Sequence, residues 1–194
     1  MRIILASGSK RRSSILDSCG IKHSVVVSAV KENMQDADPG RLAVSNARLK
    51  AGKVGEKTDK GFIVGADTLV LLGKEIIGKP RDASHAMKML KSMAGKTISV
   101  YTGLCVLDAA TGRSTAGWEC SKVRVKKIRP RDIARYFKLL GPYDKAGGFS
   151  IEGVGSFIFD DINGSYFNVL GLPMAKLNGL FKKLDVDLLD IARK

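Results

Sequence analysis

One carboxylate stands out in this sequence because of its surroundings. Asp67 is the single charged residue in the apolar stretch from Phe62 to Leu72. Burying a carboxylate in such a stretch is costly unless a cation or hydrogen bonds offset its charge. A divalent metal is one such partner, since Mg²⁺ typically takes one or two carboxylates together with substrate phosphates. We favour this functional interpretation over the alternative, an aspartate at a strand end that accepts bonds from backbone amides.

Residues 5–12, LASGSKRR, combine features that suit the binding of a phosphate group. A short strand ends, a turn of small residues follows, and a helix starts with Arg11 and Arg12 in its first turn. The free N–H groups of a helix start attract anions, and the hydroxyls of Ser7 and Ser9 add donors. The GxxxxGK[ST] pattern of a Walker loop is absent. A serine-capped helix with surface arginines explains the same residues, so both interpretations stay open here.

Three further residues stand where a ligand could bind. Lys50 lies on a helix face otherwise occupied by alanine and valine, so its ammonium group either extends to solvent or points into a cleft. Lys79 stands between a glycine and a proline, an arrangement that is also typical of a plain turn. Glu152 lies near the end of a glycine-rich segment, residues 141–153, of a kind that can fold closely around a ligand. An ordinary glycine-rich loop is the alternative.

The elements that would position these residues alternate between strands and helices. Apolar and β-branched runs predict strands at 2–6, 24–30, 62–72 (broken at Asp67 and Thr68), 97–108, 114–128, 147–159 and 166–169. Capping residues and helical periodicity predict helices at 10–19, 40–54, 82–93 and 131–140, and a last one that Pro173 opens. This order indicates an α/β protein with a mixed sheet and not a regular βαβ winding. Two lobes around a cleft fit the order, although no linker marks a boundary.

The composition narrows the class of protein. Of the 194 residues, 44% are apolar, which is enough to fill a core. No stretch approaches the ~20 apolar residues of a membrane span, and the apolar run at the start is too short for a signal peptide. Three cysteines, an odd number without a CxxC pair, argue against a disulfide framework or a zinc site and favour a reducing cytoplasm. His23 and His85 have no spacing suited to metal ligation or to a catalytic triad.

The charge of the chain is strongly positive. Lys and Arg number 33 against 19 Asp and Glu, a net charge of +14, so we expect an anionic partner. The densest stretch, residues 122–138, holds eight basic residues and one acidic residue. A nucleic-acid surface would need aromatic side chains for base stacking, and this stretch has few. We therefore interpret the stretch as a solvated face and favour a small phosphate compound over nucleic acid.

Five motifs taken together resemble the Maf family of nucleoside triphosphate pyrophosphatases, in the order and spacing of that family. They are LASGSKRR at 5–12, GADT at 65–68, GKP at 78–80, YDKAGGFSIEG at 143–153 and INGSYFNVLGLP at 162–173. The resemblance runs from residue 3 to about residue 184 and implies a single domain over residues 1–194. The implied fold is a mixed-sheet α/β fold related to the Ham1-type, inosine triphosphate pyrophosphatase-like proteins, with two lobes around a central cleft. The implied cofactor is a divalent cation, Mg²⁺, Mn²⁺ or Co²⁺.

The resemblance also implies roles for individual residues. Asp67 matches the proton acceptor of the family, and Glu32 matches an acidic residue associated with metal binding or catalysis, so these two would hold the metal. The positions that handle phosphate are Ser7, Ser9, Arg12, Lys50 and Lys79. The positions linked to the choice of substrate are Arg11, Thr68 and Glu152.

At the three specificity positions this chain departs from the family pattern. Members that resemble dTTP/UTP pyrophosphatases carry Arg, Thr and Gln there, whereas 7-methyl-GTP-type members carry Trp, Gln and Glu. Arg11 and Thr68 fit the first type, but an ionised Glu152 cannot donate a hydrogen bond as a glutamine amide does. A shifted or broader base preference is therefore an alternative. Lys10, where the family usually has proline, should soften the helix start without changing the reaction.

The function predicted from these residues is hydrolysis of a dTTP- or UTP-like nucleotide to the monophosphate and pyrophosphate. We expect metal-assisted attack at the α-phosphate, with Asp67 as the base either directly or through the metal. The alternatives are a 7-methyl-GTP-type or broad-specificity pyrophosphatase and, in a different class, a non-enzymatic basic regulator that binds nucleic acid. The predicted partner is a small nucleoside triphosphate, with no membrane and no nucleic acid. The predicted location is the cytoplasm, and the oligomeric state is left open, with a homodimer as one alternative.

Overall fold

The computed structural model describes residues 1–33, 38–140 and 149–193 and shows a chain of alternating strands and helices. The strands are β1 (Ile3–Leu5), β2 (His23–Val25), β3 (Phe62–Leu72), β4 (Glu75–Ile77), β5 (Thr97–Asp108), β6 (Ser114–Val125) and β7 (Phe159–Asn163). The helices are α1 (Lys10–Ser18), α2 (Pro39–Gly55), α3 (Ala83–Met93), α4 (Pro130–Leu140), α5 (Tyr166–Leu170) and α6 (Met174–Lys182). Two 3₁₀ turns cover Gly153–Ile158 and Leu188–Asp190.

The seven strands form one mixed sheet, which confirms the predicted α/β class. Their order is β2-β1-β3-β5-β6-β7, and β4 pairs with β3. Strand β1 runs parallel to both β2 and β3, with Leu5 opposite Val25 on one side and Val64 on the other. The pairs β3–β4 and β6–β7 are antiparallel. Among the described residues, no helix is both long and apolar enough to cross a membrane.

The chain divides into two compact units, each assembled from separate stretches of sequence. The first unit comprises Met1–Thr68, Tyr101–Glu119 and Leu170–Lys194, and the second comprises Leu69–Val100 and Cys120–Val169. The prediction of a single domain over residues 1–194 stays a prediction.

In the first unit, helix α2 lies directly on strands of the sheet, because two glycines allow a close approach. A Cβ atom on Gly65 would lie 2.1 Å from the carbonyl oxygen of Ala47, and one on Gly103 would lie 2.2 Å from the carbonyl carbon of Ala43. The core below α2 is apolar and consists of Ile4, Ala6, Ala47, Ala51, Val54, Ile63 and Cys105. The close approach brings the polar residues of α2 within reach of β3.

The second unit contains the basic stretch, and its strand part has the predicted alternation. Val123 and Val125 on β6 are buried, whereas Lys122, Arg124 and Lys126 are exposed. We call the exposed basic side chains of residues 122–138 the basic face. Their exposure agrees with the interpretation of this stretch as a solvated surface.

The predicted helix starts are confirmed by side-chain caps. Ser9 Oγ accepts the backbone N–H of Arg12 at the start of α1, and Asp38 does the same for α2, where Pro39 occupies the first turn. Asp82 caps α3 through a 2.7 Å bond from the N–H of His85. Each cap satisfies a backbone donor that the helix itself leaves without a partner.

Several predicted strands were wrong or too long. Strand β3 runs from Phe62 to Leu72 without the break predicted at Asp67 and Thr68, and the strand predicted at 24–30 ends at Val25. The strand predicted at 114–128 ends at Val125. Where a strand was predicted at 147–159, the chain forms the 3₁₀ turn Gly153–Ile158; residues 147 and 148 lie outside the described part.

The strand predicted at 166–169 is also wrong, because these residues form helix α5. Ser165 starts the helix: its hydroxyl accepts the N–H of Asn168, and its carbonyl accepts the N–H of Val169. Asn168 is completely buried, and its amide donates to the carbonyl of Val100 and to Ser121 Oγ, both at 2.9 Å. These long-range bonds outweigh the local β-propensity of an aromatic, β-branched sequence.

Candidate active site

Asp67 lies in the middle of β3, and only 4% of its surface is exposed. Each of its carboxylate oxygens accepts a hydrogen bond. Lys50 Nζ donates to Oδ1 at 2.7 Å, and Asn46 Nδ2 donates to Oδ2 at 3.0 Å. The buried charge that the sequence singled out is therefore compensated by a cation and by an amide from helix α2.

Lys50 points inward from α2 and does not extend to solvent, which decides between the two alternatives left by the sequence. Its ammonium group lies 2.7 Å from Glu32 Oε1, 2.7 Å from Asp67 Oδ1 and 3.4 Å from the carbonyl oxygen of Ala66. Two carboxylates face one ammonium group, so this group of side chains keeps a net negative charge when all three are ionised.

Asn46 joins these groups and was not predicted from the sequence. It lies one helical turn before Lys50 on α2, and 1% of its surface is exposed. Besides Asp67, its amide contacts the backbone of Asn33: Nδ2 donates to the carbonyl oxygen at 3.1 Å, and Oδ1 accepts the N–H at 2.7 Å. We call Asp67, Lys50, Glu32 and Asn46 the Asp67 cluster. The helical spacing to Lys50 was the signal that could have pointed to Asn46.

Asp67 and Glu32 are the carboxylates of the cluster that could hold a divalent cation. Both contact the same lysine nitrogen, so their nearest oxygens are separated by no more than the sum of two hydrogen-bond distances. Within residues 1–33, 38–140 and 149–193, no three His, Cys, Asp or Glu side chains are grouped to hold a metal. Two carboxylates completed by water and substrate phosphates are the ligand set that Mg²⁺ uses in phosphate-binding enzymes.

Arg12 donates four hydrogen bonds to residues beside the Asp67 cluster. It donates to Ser7 Oγ (2.9 Å), to the carbonyl oxygens of Ala66 (3.0 Å) and Gly171 (2.8 Å), and to Thr68 Oγ1 (2.9 Å). Burial lowers the pKa of Arg12 below its ordinary value, while the nearby charges of Asp67 and Glu32 oppose that shift. These bonds use all but one of the N–H groups of a guanidinium, so the arginine is fixed to the chain that surrounds it.

The predicted phosphate-binding turn surrounds this arginine. Ser7 is buried, and its hydroxyl accepts from both Arg12 and the N–H of Ser9. Ser9 is the N-cap of α1, and Arg11 is partly buried on that helix. The structure thus brings Ser7, Arg12 and Thr68 into one bonded set.

Thr68 has a second hydroxyl neighbour that the sequence did not reveal. Its Oγ1 lies 3.0 Å from Oγ1 of Thr102, a completely buried residue of β5. Gly171 has a φ of +96°, and a Cβ there would lie 3.0 Å from Thr68 Oγ1, so glycine suits this position. Nothing local in the sequence links these three positions.

Lys79 and Glu152 belong to the second unit. Lys79 is exposed after β4. Glu152 is exposed at the start of the 3₁₀ turn, and its N–H donates to Ser150 Oγ at 3.3 Å. Residues 143–148 of the fourth motif lie outside the described part of the chain.

The fold and the Asp67 cluster define an α/β protein with a buried, lysine-paired aspartate next to an arginine-bearing helix start. The chain belongs to the Maf-like protein family, whose model matches residues 2–184. This confirms the family to which the five motifs pointed.

Curated relatives match along nearly the whole chain. The dTTP/UTP pyrophosphatase of Desulforamulus reducens is 38% identical over 187 residues, which cover 96% of this chain and 98% of that protein. The dTTP/UTP pyrophosphatase of Aquifex aeolicus is 39% identical over 186 residues, with 96% and 97% covered. Among solved structures, the Staphylococcus aureus Ham1 protein matches with a TM-score of 0.43 and 10% identity, covering 64% of this chain and 72% of that one. The family assignment rests on the sequence matches.

Proposed function

We propose that this chain hydrolyses dTTP- and UTP-like nucleoside triphosphates to the monophosphate and pyrophosphate. The chain is a nucleoside triphosphate pyrophosphatase by its membership of the Maf-like family and by relatives that carry that activity in their names. The observation that supports the mechanism is the buried carboxylate of Asp67, which is held by Lys50 and Asn46. A carboxylate that is held in a fixed position is a suitable general base.

The reaction joins the oxygen of a water molecule to the α-phosphorus and breaks the bond from that phosphorus to the α–β bridging oxygen. Pyrophosphate leaves with the bridging oxygen, and Asp67 takes the proton that the water loses. Each oxygen of the Asp67 carboxylate accepts one hydrogen bond in the structure and has a second lone pair for this proton. Lys50 holds the carboxylate in place through its 2.7 Å hydrogen bond to Oδ1.

Asp67 and Glu32 are the residues that would hold the divalent cation, Mg²⁺, Mn²⁺ or Co²⁺. When bound, the cation would neutralise phosphate charge and lower the pKa of a coordinated water. Its charge would add to that of Lys50, which already contacts both carboxylates.

The phosphates themselves are proposed to bind to the turn at Ser7 and Ser9 and to cationic side chains. Arg12 fixes Ser7 and therefore shapes the turn. Arg11 and Lys79 are the further cations proposed for the phosphates, together with Lys50, because cations at a triphosphate stabilise the charge that develops on the leaving pyrophosphate.

Recognition of the nucleotide base is assigned to Arg11, Thr68 and Glu152. This assignment is tested by comparing wild type with Glu152→Gln on a panel of nucleotides. The panel contains dTTP, UTP, CTP, base-modified forms and 7-methyl-GTP. The exchange should shift activity toward dTTP and UTP, because a glutamine amide donates where an ionised glutamate cannot. An unchanged profile would remove Glu152 from the assignment.

The main test is release of phosphate in a malachite-green assay with added inorganic pyrophosphatase. Asp67→Asn should lower kcat by about 100-fold or more, since general base catalysis contributes on this scale. Asp59→Asn, which changes an exposed aspartate of the same unit, is the matched control and should be neutral. Turnover by Asp67→Asn within a factor of about two of wild type would refute the role of Asp67.

We also assign the enzyme to the cytoplasm, since all three of its cysteines are free thiols and free thiols persist in a reducing compartment. A homodimer remains one alternative for its assembly. Size-exclusion chromatography with light scattering would decide it.

A further inference from the structure

We propose that Asn46 is a positioning residue for the reaction, which holds the two carboxylates, Asp67 and Glu32, in their places around Lys50. This inference rests on the proposed function, because it assigns Asn46 a role in the same reaction.

The hydrogen bonds of Asn46 connect three parts of the first unit. From helix α2, its Nδ2 donates to Asp67 Oδ2 on β3 at 3.0 Å and to the carbonyl oxygen of Asn33 at 3.1 Å. Its Oδ1 accepts the N–H of Asn33 at 2.7 Å. The side chain is 1% exposed, so water cannot readily replace these bonds.

The pattern of two donated bonds and one accepted bond requires a carboxamide. An aspartate at this position could accept the N–H of Asn33 but could not donate, and it would place a second carboxylate against Asp67. A serine is too short to reach both partners and has a single proton to donate. The residue type therefore matches the task of joining a carboxylate to a backbone.

The contact with Asn33 acts on Glu32 through the backbone. Asn33 directly follows Glu32, and both of its backbone polar groups are bonded to Asn46. The Glu32 side chain is 47% exposed and contacts Lys50 at its end. A half-exposed side chain has few packing contacts, so the position of the Glu32 carboxylate depends on the backbone that Asn46 anchors next to it.

Asn46 thus orients the two carboxylates and does not itself contact the substrate. Residues that hydrogen-bond to metal ligands or catalytic groups have the same role. A residue that only stabilised the fold would leave the turnover of the folded enzyme unchanged. The test must therefore separate turnover from folding.

The experiment compares Asn46→Ala with the matched control Asn33→Ala, by kcat and KM for dTTP and UTP and by thermal melting. Asn33→Ala removes a side chain that contacts Ser45 Oγ at 3.3 Å but leaves the backbone groups that Asn46 binds. Asn46→Ala should lower kcat by about 10- to 100-fold, with KM changed by about threefold or less. Asn33→Ala should stay within about twofold of wild type in both. Equal kcat values for the two folded variants would overturn the inference; if Asn46→Ala does not fold, Asn46→Ser replaces it.

A second measurement is independent of activity and separates the bonds of Asn46 from one another. Hydrogen exchange of the Asn33 amide should be faster in Asn46→Ala, which lacks the acceptor, and should stay slow in Asn46→Asp, which keeps it. Asn46→Asp should still lose turnover, because it cannot donate to Asp67. Full turnover in Asn46→Asp, or unchanged exchange in Asn46→Ala, would overturn the assignment.

The outcomes also distinguish this inference from the proposed function. A wild-type enzyme that hydrolyses no nucleoside triphosphate would refute the proposed function, whatever the exchange rates. An active wild type with undiminished kcat in Asn46→Ala would refute the inference alone.

Discussion

The Asp67 cluster and the basic face hold their charges in opposite ways. In the cluster, Asp67 and Lys50 are buried and lie 2.7 Å apart, with Asn46 as a further partner. On the basic face, Lys122 and Lys126 are exposed beside buried valines. A buried charge needs fixed partners, whereas an exposed one is stabilised mainly by water. The comparison teaches that the local setting of a charge says more about function than the net charge does.

Substitutions in the Asp67 cluster should have larger effects than those of exposed charges, and the largest effect is expected when Lys50 is replaced. Lys50→Met leaves Asp67 buried without its cation, and loss of one partner of a buried pair costs about 3 kcal/mol or more. Activity should fall below detection, because the proposed base loses its alignment. Urea unfolding and the phosphate-release assay measure the two effects.

Lys53→Met is the control on the same helix. Lys53 pairs with Glu56 at 2.7 Å, but both side chains are about half exposed. Exposed pairs contribute about 0.5 kcal/mol or less. Similar losses of stability in the two variants would contradict the contrast drawn between buried and exposed charges.

The next largest effect is expected for Arg12→Lys, which keeps the charge but not the hydrogen bonds. A lysine cannot reach Ser7, Thr68 and the two carbonyl groups at once, so we expect a loss of about 2 kcal/mol together with a fall in kcat. Arg41→Lys changes an exposed arginine 3.9 Å from Asp38 and should be neutral. Wild-type stability and activity in Arg12→Lys would show that the charge alone is sufficient there.

A smaller effect should follow when α2 is moved away from β3. In Gly65→Ala, the new Cβ would meet the carbonyl oxygen of Ala47, so the helix that carries Lys50 and Asn46 must shift. We expect a loss of about 1–3 kcal/mol and lower kcat. Gly52→Ala, on the same helix, meets no atom within 4 Å and should be neutral or stabilising. If both variants behaved alike, contact between α2 and β3 would not control the site.

The smallest effect is expected on the basic face. The triple variant Lys122→Gln, Arg124→Gln, Lys126→Gln should change stability by about 0.5 kcal/mol or less for each residue. Any fall in kcat/KM should appear at low salt and vanish at high salt, because exposed charges act on an anionic substrate by long-range attraction. A loss of turnover that persists at high salt would place these residues in the reaction.

Much of the fold was predictable because its signals are local. The caps at Ser9 and Asp82 lie within three residues of the N–H groups they satisfy. The long strands β5 and β6 were also found, because residues of high β-propensity recur along them and Lys122–Val125 alternates between basic and apolar residues. Helix α5 was missed because the buried bonds of Asn168 to Val100 and Ser121 join residues far apart in sequence.

The candidate site divides in the same way. The types of Asp67, Lys50 and Arg12 and their motifs marked them as candidates without any structure. That Lys50 points inward, that Arg12 bonds to Gly171, and that Asn46 and Thr102 take part could not be predicted. Each of these facts depends on which faces of helix and strand meet.

The sequence alone was sufficient for the α/β class, the family resemblance and the choice of Asp67 as the candidate base. These follow from residue type and short-range pattern. How the charges are held depends on long-range packing, because Gly65 and Gly103 allow α2 to lie close to β3 and β5. This contact brings Lys50 and Asn46 within hydrogen-bond distance of the buried carboxylate of Asp67.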